Sequence, residues 1–246
     1  MEILTPLLTG QFALAVVITL LSGFTYGFAG FGGGLTMVPL MALLYWPVEG
    51  VILSSLLPVV TGAVGWPGVM PHVRWREVAP ALITVLVTAP VGAYFLITGD
   101  PGPIRRAMGA IVLFFALIML LGWQYKGPRN SATGVLSGAI GGVVHGYLGM
   151  AGAWFSLYYL SGREEARIQR ANLYITMLTV SAMAVIPHIV VGTMGRETWI
   201  RGIALVLPYA VAIWVGARVF RTTSDQSYRR VAIWLLVAIG LSVAIV

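Results

Sequence analysis

The stretch Gly27-Phe28-Ala29-Gly30-Phe31-Gly32-Gly33-Gly34-Leu35-Thr36-Met37-Val38-Pro39 decides how this chain folds. Apolar sequence flanks it on both sides. The interval 11–46 is too long for one plain crossing of a bilayer, which takes about 20 apolar residues. The glycine cluster predicts a helix, a break near mid-membrane, and a short second half-helix or re-entrant arm. Non-helical backbone at that depth is tolerated only where protein or a wet cavity surrounds it.

Composition supports a membrane setting. Of 246 residues, 59% are hydrophobic and 9% charged, where soluble domains carry about 25% charged residues. Mean hydropathy is +0.91. One soluble core of this size could not hide so much apolar surface. The chain therefore reads as all-α and polytopic, with lipid as the solvent for its apolar faces. There is no cysteine, so disulfides, thiolate metal sites and cysteine nucleophiles are excluded. The formal charge of +7 is assigned to short loops beside anionic headgroups, not to nucleic acid. The N-terminus lacks the basic start of a cleavable signal, so its first apolar segment is expected to be retained.

Charged residues and Gly/Pro clusters divide the chain into about eight apolar stretches: 11–46, 50–71, 78–98, 104–123, 131–160, 170–192, 198–219 and 228–246. The stretch 131–160 is also overlong and glycine-broken. If all eight cross, Arg74, Arg76, Lys126, Arg129, Arg196 and Arg201 share the side of the termini. Nine basic residues from Arg105 to Arg230 then lie opposite, which places both termini outside the cytoplasm.

The halves repeat. At offset 119, Gly23, Gly27, Gly30 and Gly33 fall on Gly142, Gly146, Gly149 and Gly152. At offset 124, Trp75 falls on Trp199, Val91-Gly92-Ala93 on Val215-Gly216-Ala217, and Arg105-Arg106 on Arg229-Arg230. The change of offset is expected around Ser161–Arg167. Two four-segment units result, 1–125 and 126–246, each with a glycine-broken first helix. Such duplication is the architecture of transporters, with the site between the copies. Parallel and inverted copies remain equally open.

The chemistry available is limited. All eight carboxylates fall in tails, loops or span edges, and no Lys or Arg sits mid-span, which argues against a buried carboxylate proton relay. An anion would be held by dipoles and hydroxyls. Gly30, Gly32, Gly33 and Gly34, lacking Cβ, can turn several N–H groups toward one point. A half-helix starting near Leu35 adds its positive end, and Thr36 a hydroxyl. Close helix packing is the alternative, and it is preferred for Gly134, Gly138, Gly142 and Gly146, which line one helical face. His145, within the second glycine-rich segment, would sense protons or bond an oxyanion, unless a backbone carbonyl satisfies it. Ser54, Ser55 and Asn172 stand at the starts of later segments as polar contacts or caps. The signatures of intramembrane proteases, Gly-x-Ser-Gly, paired mid-membrane aspartates and His-Glu-x-x-His, are absent. No enzymatic role, cofactor or metal is expected. An anion channel or a non-transporting assembly subunit is the alternative to a carrier.

The Gly27–Pro39 stretch resembles the first signature of the TauE/SafE sulfite exporter family of permeases. The duplicated half and the basic Val73-Arg74-Trp75-Arg76 loop resemble that family too. The resemblance implies eight hydrophobic segments and transport of sulfite, sulfoacetate, sulfolactate or related anions. It implies a multi-pass protein of the cell inner membrane. A homodimer is also expected. The second signature departs from the pattern: it reads Gly149-Met150-Ala151-Gly152-Ala153, with Tyr158 in place of a proline. Gly149 and Gly152 complete the expected substrate-binding set.

Overall fold

The computed structural model describes residues 5–121, 123, 125, 127–160 and 164–223, with side chains left out at residue 5, 63–67, 116, 119–120 and 166. The expected segment 228–246, and with it Arg229-Arg230, lies outside the described residues, as do Lys126 and Arg163. Among the described residues all regular structure is helical: α1 (Gly10–Ala29), α2 (Gly33–Leu44), α3 (Pro47–Val69), α4 (Trp75–Thr98), α5 (Pro101–Leu120), α6 (Ser131–Leu148), α7 (Gly152–Tyr159), α8 (Ala166–Val191) and α9 (Arg196–Arg221), with short 3-10 turns at Thr5–Leu7 and Met70–His72. Four of these helices are long and apolar enough to cross a membrane: α1, α4, α8 and α9.

Helix ends follow local chemistry. Thr9 caps α1 by accepting from the Phe12 N–H at 3.1 Å. Asn130 and Thr133 form a reciprocal capping box at the start of α6. Both α1 and α6 stop at a glycine in the left-handed region, Gly30 (φ +80°) and Gly149 (φ +68°), where a Cβ would be strained. The breaks expected in 11–46 and 131–160 are therefore present. Each break leads into a re-entrant arm. Gly33, at the start of α2, packs on Ser22 and Tyr26 of α1. Met37 and Met41, further along α2, join Ala15 near the start of α1 in one apolar cluster. So α2 doubles back along α1. Likewise Trp154 of α7 donates to the Ser137 carbonyl of α6 at 3.1 Å, and Tyr158 bonds Thr133 at 3.1 Å. Each broken segment is a helical hairpin whose two outer ends lie at the same end of the bundle.

The long helices then fall into register. The start of α1 defines the near end of the bundle. A Cβ on Gly27 would strike the Ile213 backbone, and one on Gly216 the backbone of Phe24 and Phe28, so α1 and α9 run parallel in close contact. A Cβ on Gly146 would strike Ala89, and one on Gly92 would strike Val143 and Tyr147, so α6 and α4 do the same. These glycines and Gly134, Gly138 and Gly142 pack helix to helix, as their spacing predicts. Helices α3 and α8 are antiparallel: Tyr174 of α8 donates to the Gly62 carbonyl at 2.9 Å, while Ile52 and Leu56 pack on Val185.

Two expectations change. The two broken segments fold back along themselves, so basic residues sort between the two ends of the bundle differently from the expected six and nine. Among the described residues Arg74, Arg76, Arg129, Arg167, Arg170, Arg218 and Arg221 lie toward the far end, and Arg105, Arg106, Arg196 and Arg201 toward the near end. The offset also changes later than expected. α8 begins 119 residues after α3, so the switch to 124 lies between α8 and Trp199, not around Ser161–Arg167.

Candidate functional site: two hairpin tips in contact

The tips of the hairpins meet. A Cβ on Gly34 would collide with the Gly149 carbonyl, and one on Gly152 would lie 3.1 Å from the Gly32 nitrogen. The first hairpin tip holds Gly30 and Gly32, both left-handed (φ +80° and +86°). Gly33 and Gly34 are not; they are already helical, and the half-helix begins at Gly33 instead of Leu35. Their missing Cβ atoms serve close approach: Gly33 to Ser22 and Tyr26, Gly34 to Gly149.

Two helix N-termini therefore converge. In α2 the first bond of the helix is from the Thr36 N–H to the Gly32 carbonyl at 3.1 Å. In α7 it is from the Phe155 N–H to the Ala151 carbonyl at 3.0 Å. The N–H groups ahead of each have no intrahelical acceptor. Each end carries a partial positive charge. Thr36 spends its hydroxyl on the Gly32 carbonyl at 3.2 Å, fixing the turn that presents these groups.

Hydroxyls and one imidazole surround the second tip. Ser54, buried, donates to the Val51 carbonyl at 2.9 Å and lies 3.0 Å from where a Gly149 Cβ would be. One turn before the tip, His145 is 1% exposed. Its Nε2 is 3.2 Å from the Ser181 hydroxyl and 3.5 Å from the Ser55 hydroxyl. Its Nδ1 is buried without a hydrogen-bond partner among the described residues. The expected backbone carbonyl partner is not what holds the ring.

Asn172 does something else. Its Oδ1 accepts from the Arg74 N–H at 2.9 Å, and its Nδ2 donates to Glu77 at 3.2 Å. It braces α4 against α8 at the far end, where Arg74 also pairs with Glu164 at 2.6 Å. Residues not singled out from the sequence complete the picture. Ser181 reaches His145, and Arg170 donates to the Gly27 carbonyl at 2.9 Å beside the first tip. The ring of Tyr26 packs at a tilt against that of Tyr174, centroids 5.8 Å apart. Ser181 lies 119 residues beyond Gly62, and Tyr26 lies 119 before His145, so the offset arithmetic held the signal. Among the described residues no group of three or more His, Asp or Glu side chains could hold a metal.

Among the described residues the chain is all-helical, with long apolar helices and paired glycine-tipped hairpins, which is consistent with a polytopic membrane protein. The comparisons give the family. The sequence matches the description "Sulfite exporter TauE/SafE" over residues 15–243, and the chain belongs to that family of exporters. It is similar to the "Probable sulfite/organosulfonate exporter TauE" of Cupriavidus necator, 26% identical over 250 residues, which cover 98% of this chain and 94% of that protein. No solved structure matches.

Proposed function

We propose that this protein is a secondary transporter that exports a small sulfur-containing anion, sulfite or an organosulfonate, from the cytoplasm. The observation that carries the proposal is the convergence of two helix N-termini, α2 and α7, through Gly32–Gly34 and Gly149–Gly152. Two partial positive charges brought together are stabilised by an anion between them. The binding set is Gly30, Gly32, Gly33, Gly34, Thr36, Ser54, Ser55, His145, Gly149 and Gly152, with Asn172 holding α8 in place. Neither full charge nor metal is part of it, so the passenger leaves without breaking a strong ion pair. A site of this kind moves an anion and catalyses nothing. The relative's name supports the sulfur chemistry.

The architecture we infer is two inverted repeats, 1–125 and 126–246, each a re-entrant hairpin followed by three spans, so that six of the eight expected segments cross and two turn back. The support is the contact register. Gly27 against Ile213 corresponds to Gly146 against Ala89, and Gly216 against Phe24 and Phe28 corresponds to Gly92 against Val143 and Tyr147, at offsets of 119 and 124. Helices α1 and α6 run in opposite directions, so the copies relate by an axis in the membrane plane. The basic excess at the far end supports an orientation with that end in the cytoplasm and the start of α1 outside. The setting is the cell inner membrane, and we propose a homodimer as the working assembly.

Purified protein in liposomes should show saturable flux of radiolabelled sulfite or sulfoacetate with substrate counterflow. Flux without saturation or counterflow would instead identify a channel. Gly33→Val, which pushes a branched side chain against Ser22 and Tyr26, should abolish flux with membrane insertion intact. Normal flux in that variant would refute the tip site.

A further inference from the structure

We propose that the protein carries a second oxyanion site, a cytoplasmic capture vestibule upstream of the hairpin tips. A cavity of about 280 Å³ opens at the far end between the last turn of α3, the first turn of α8 and the last turn of α9. A water molecule's share of liquid volume is about 30 Å³, so there is room for a small oxyanion with part of its hydration shell. Its wall includes His72, Arg167, Arg170 and Arg221, and no carboxylate among the described residues. Among those residues neither Arg167 nor Arg221 is paired with a carboxylate. The Arg167 and Arg221 guanidinium groups beside a low-dielectric concavity focus a positive potential and raise the local concentration of anions.

Arg170 ties this cavity to the transport path. Its guanidinium donates to the Gly27 carbonyl at 2.9 Å and lies 4.7 Å from the centre of the Phe220 ring. Its stem packs on the first hairpin tip, with Cγ 3.2 Å from the place a Gly30 Cβ would take. The same side chain borders the cavity and supports the tip that the anion must reach next. The ligand is a sulfonate or sulfite oxyanion, not a nucleotide or peptide, because the cavity is small and its polar lining is cationic. Naming the anion rests on the transport reading above. Anionic lipid headgroups present similar oxygens, and the test separates the two sources.

The chain has no cysteine, so a single one reports cleanly. Gly68 lines the cavity, and a Cβ placed on it would meet nothing within 4 Å. Sulfoacetate should slow labelling of Gly68→Cys by a membrane-impermeant maleimide about fivefold or more. That protection should vanish when Arg167→Gln and Arg221→Gln are added. In flux assays the same two glutamines should raise KM about five- to tenfold and leave the maximal rate within about twofold, since capture and not the tip site is weakened. The KM effect should persist in liposomes of phosphatidylcholine alone. Absence of protection overturns the vestibule, as does protection that survives the glutamines. An effect confined to liposomes containing phosphatidylglycerol overturns it too, because the arginines then serve headgroups. Protection without flux would sink the transport reading and leave this site standing; flux without protection does the reverse.

Discussion

The two ends of the α3–α8 contact hold the same three positions filled with different chemistry. On one side Tyr26, Tyr174 and Gly62 come together: the rings of Tyr26 and Tyr174 are 5.8 Å apart, and the Tyr174 hydroxyl donates to the Gly62 carbonyl. On the other side, each residue 119 positions displaced, His145 meets Ser55 and Ser181. The tyrosine cluster is large and aromatic, and packing dominates it. The histidine cluster is small and polar, and an imidazole nitrogen is left over. A buried polar atom without a partner costs about 1–3 kcal/mol, which an anion or an ordered water would recover. Positions 119 residues apart thus hold an aromatic core in one cluster and a small polar group in the other, and in the proposed transporter the polar one meets the ligand. The tips beside them keep Gly30 and Gly149 in the left-handed turn, while Gly32 and Gly34 of the first tip are matched by Ala151 and Ala153 in the second.

That contrast can be broken in order of effect. His145→Ala removes the imidazole and should cut sulfite flux by about 10- to 100-fold, the range of one or two hydrogen bonds to a charged group; flux per folded protein in liposomes measures it, and an unchanged rate would return His145 to mere packing. Ser181→Gly gives the second cluster the residue of the first. It should cost about fivefold in KM, near the worth of one neutral hydrogen bond, and a concentration series reads it. Tyr26→Phe should change flux by less than about twofold and leave thermal stability equal or higher, because the Tyr26 hydroxyl is buried and bonds nothing. A large loss there would mean that the tyrosine cluster is also a working site and that the halves are not specialised.

Both clusters were present in the sequence only as arithmetic. His145, Ser54 and Ser55 drew notice as rare polar residues in apolar stretches, and the structure gathers Ser55 and His145 within 3.5 Å. Asn172 drew the same notice, but its amide is used at the far end. Nothing local distinguishes an amide that braces two helices from one that meets a ligand, since both need burial and a partner. Ser181 is not legible in the sequence because one serine in a long helix has no pattern; only its partner reveals it. The glycines separated more cleanly. A spacing of four predicted the packing face of α6, and clustering predicted the breaks at Gly30–Gly32 and Gly149–Ala151. The individual roles within the cluster needed backbone angles: Gly30 and Gly32 for a left-handed turn, Gly34 for room.

Composition and glycine placement, properties of the chain alone, determined a helical membrane protein with two broken segments and a recurring half. Lipid demands satisfied backbone and apolar faces whatever the tertiary arrangement. Direction was decided only by packing. A broken segment that continues across and one that doubles back contain the same residues and the same hydropathy. The choice between them rests on whether Met37 and Met41 come to lie beside Ala15, and Trp154 beside Ser137. Through that choice the tertiary structure set which arginines share an end, which glycine tips touch, and that α1 and α6 run in opposite directions.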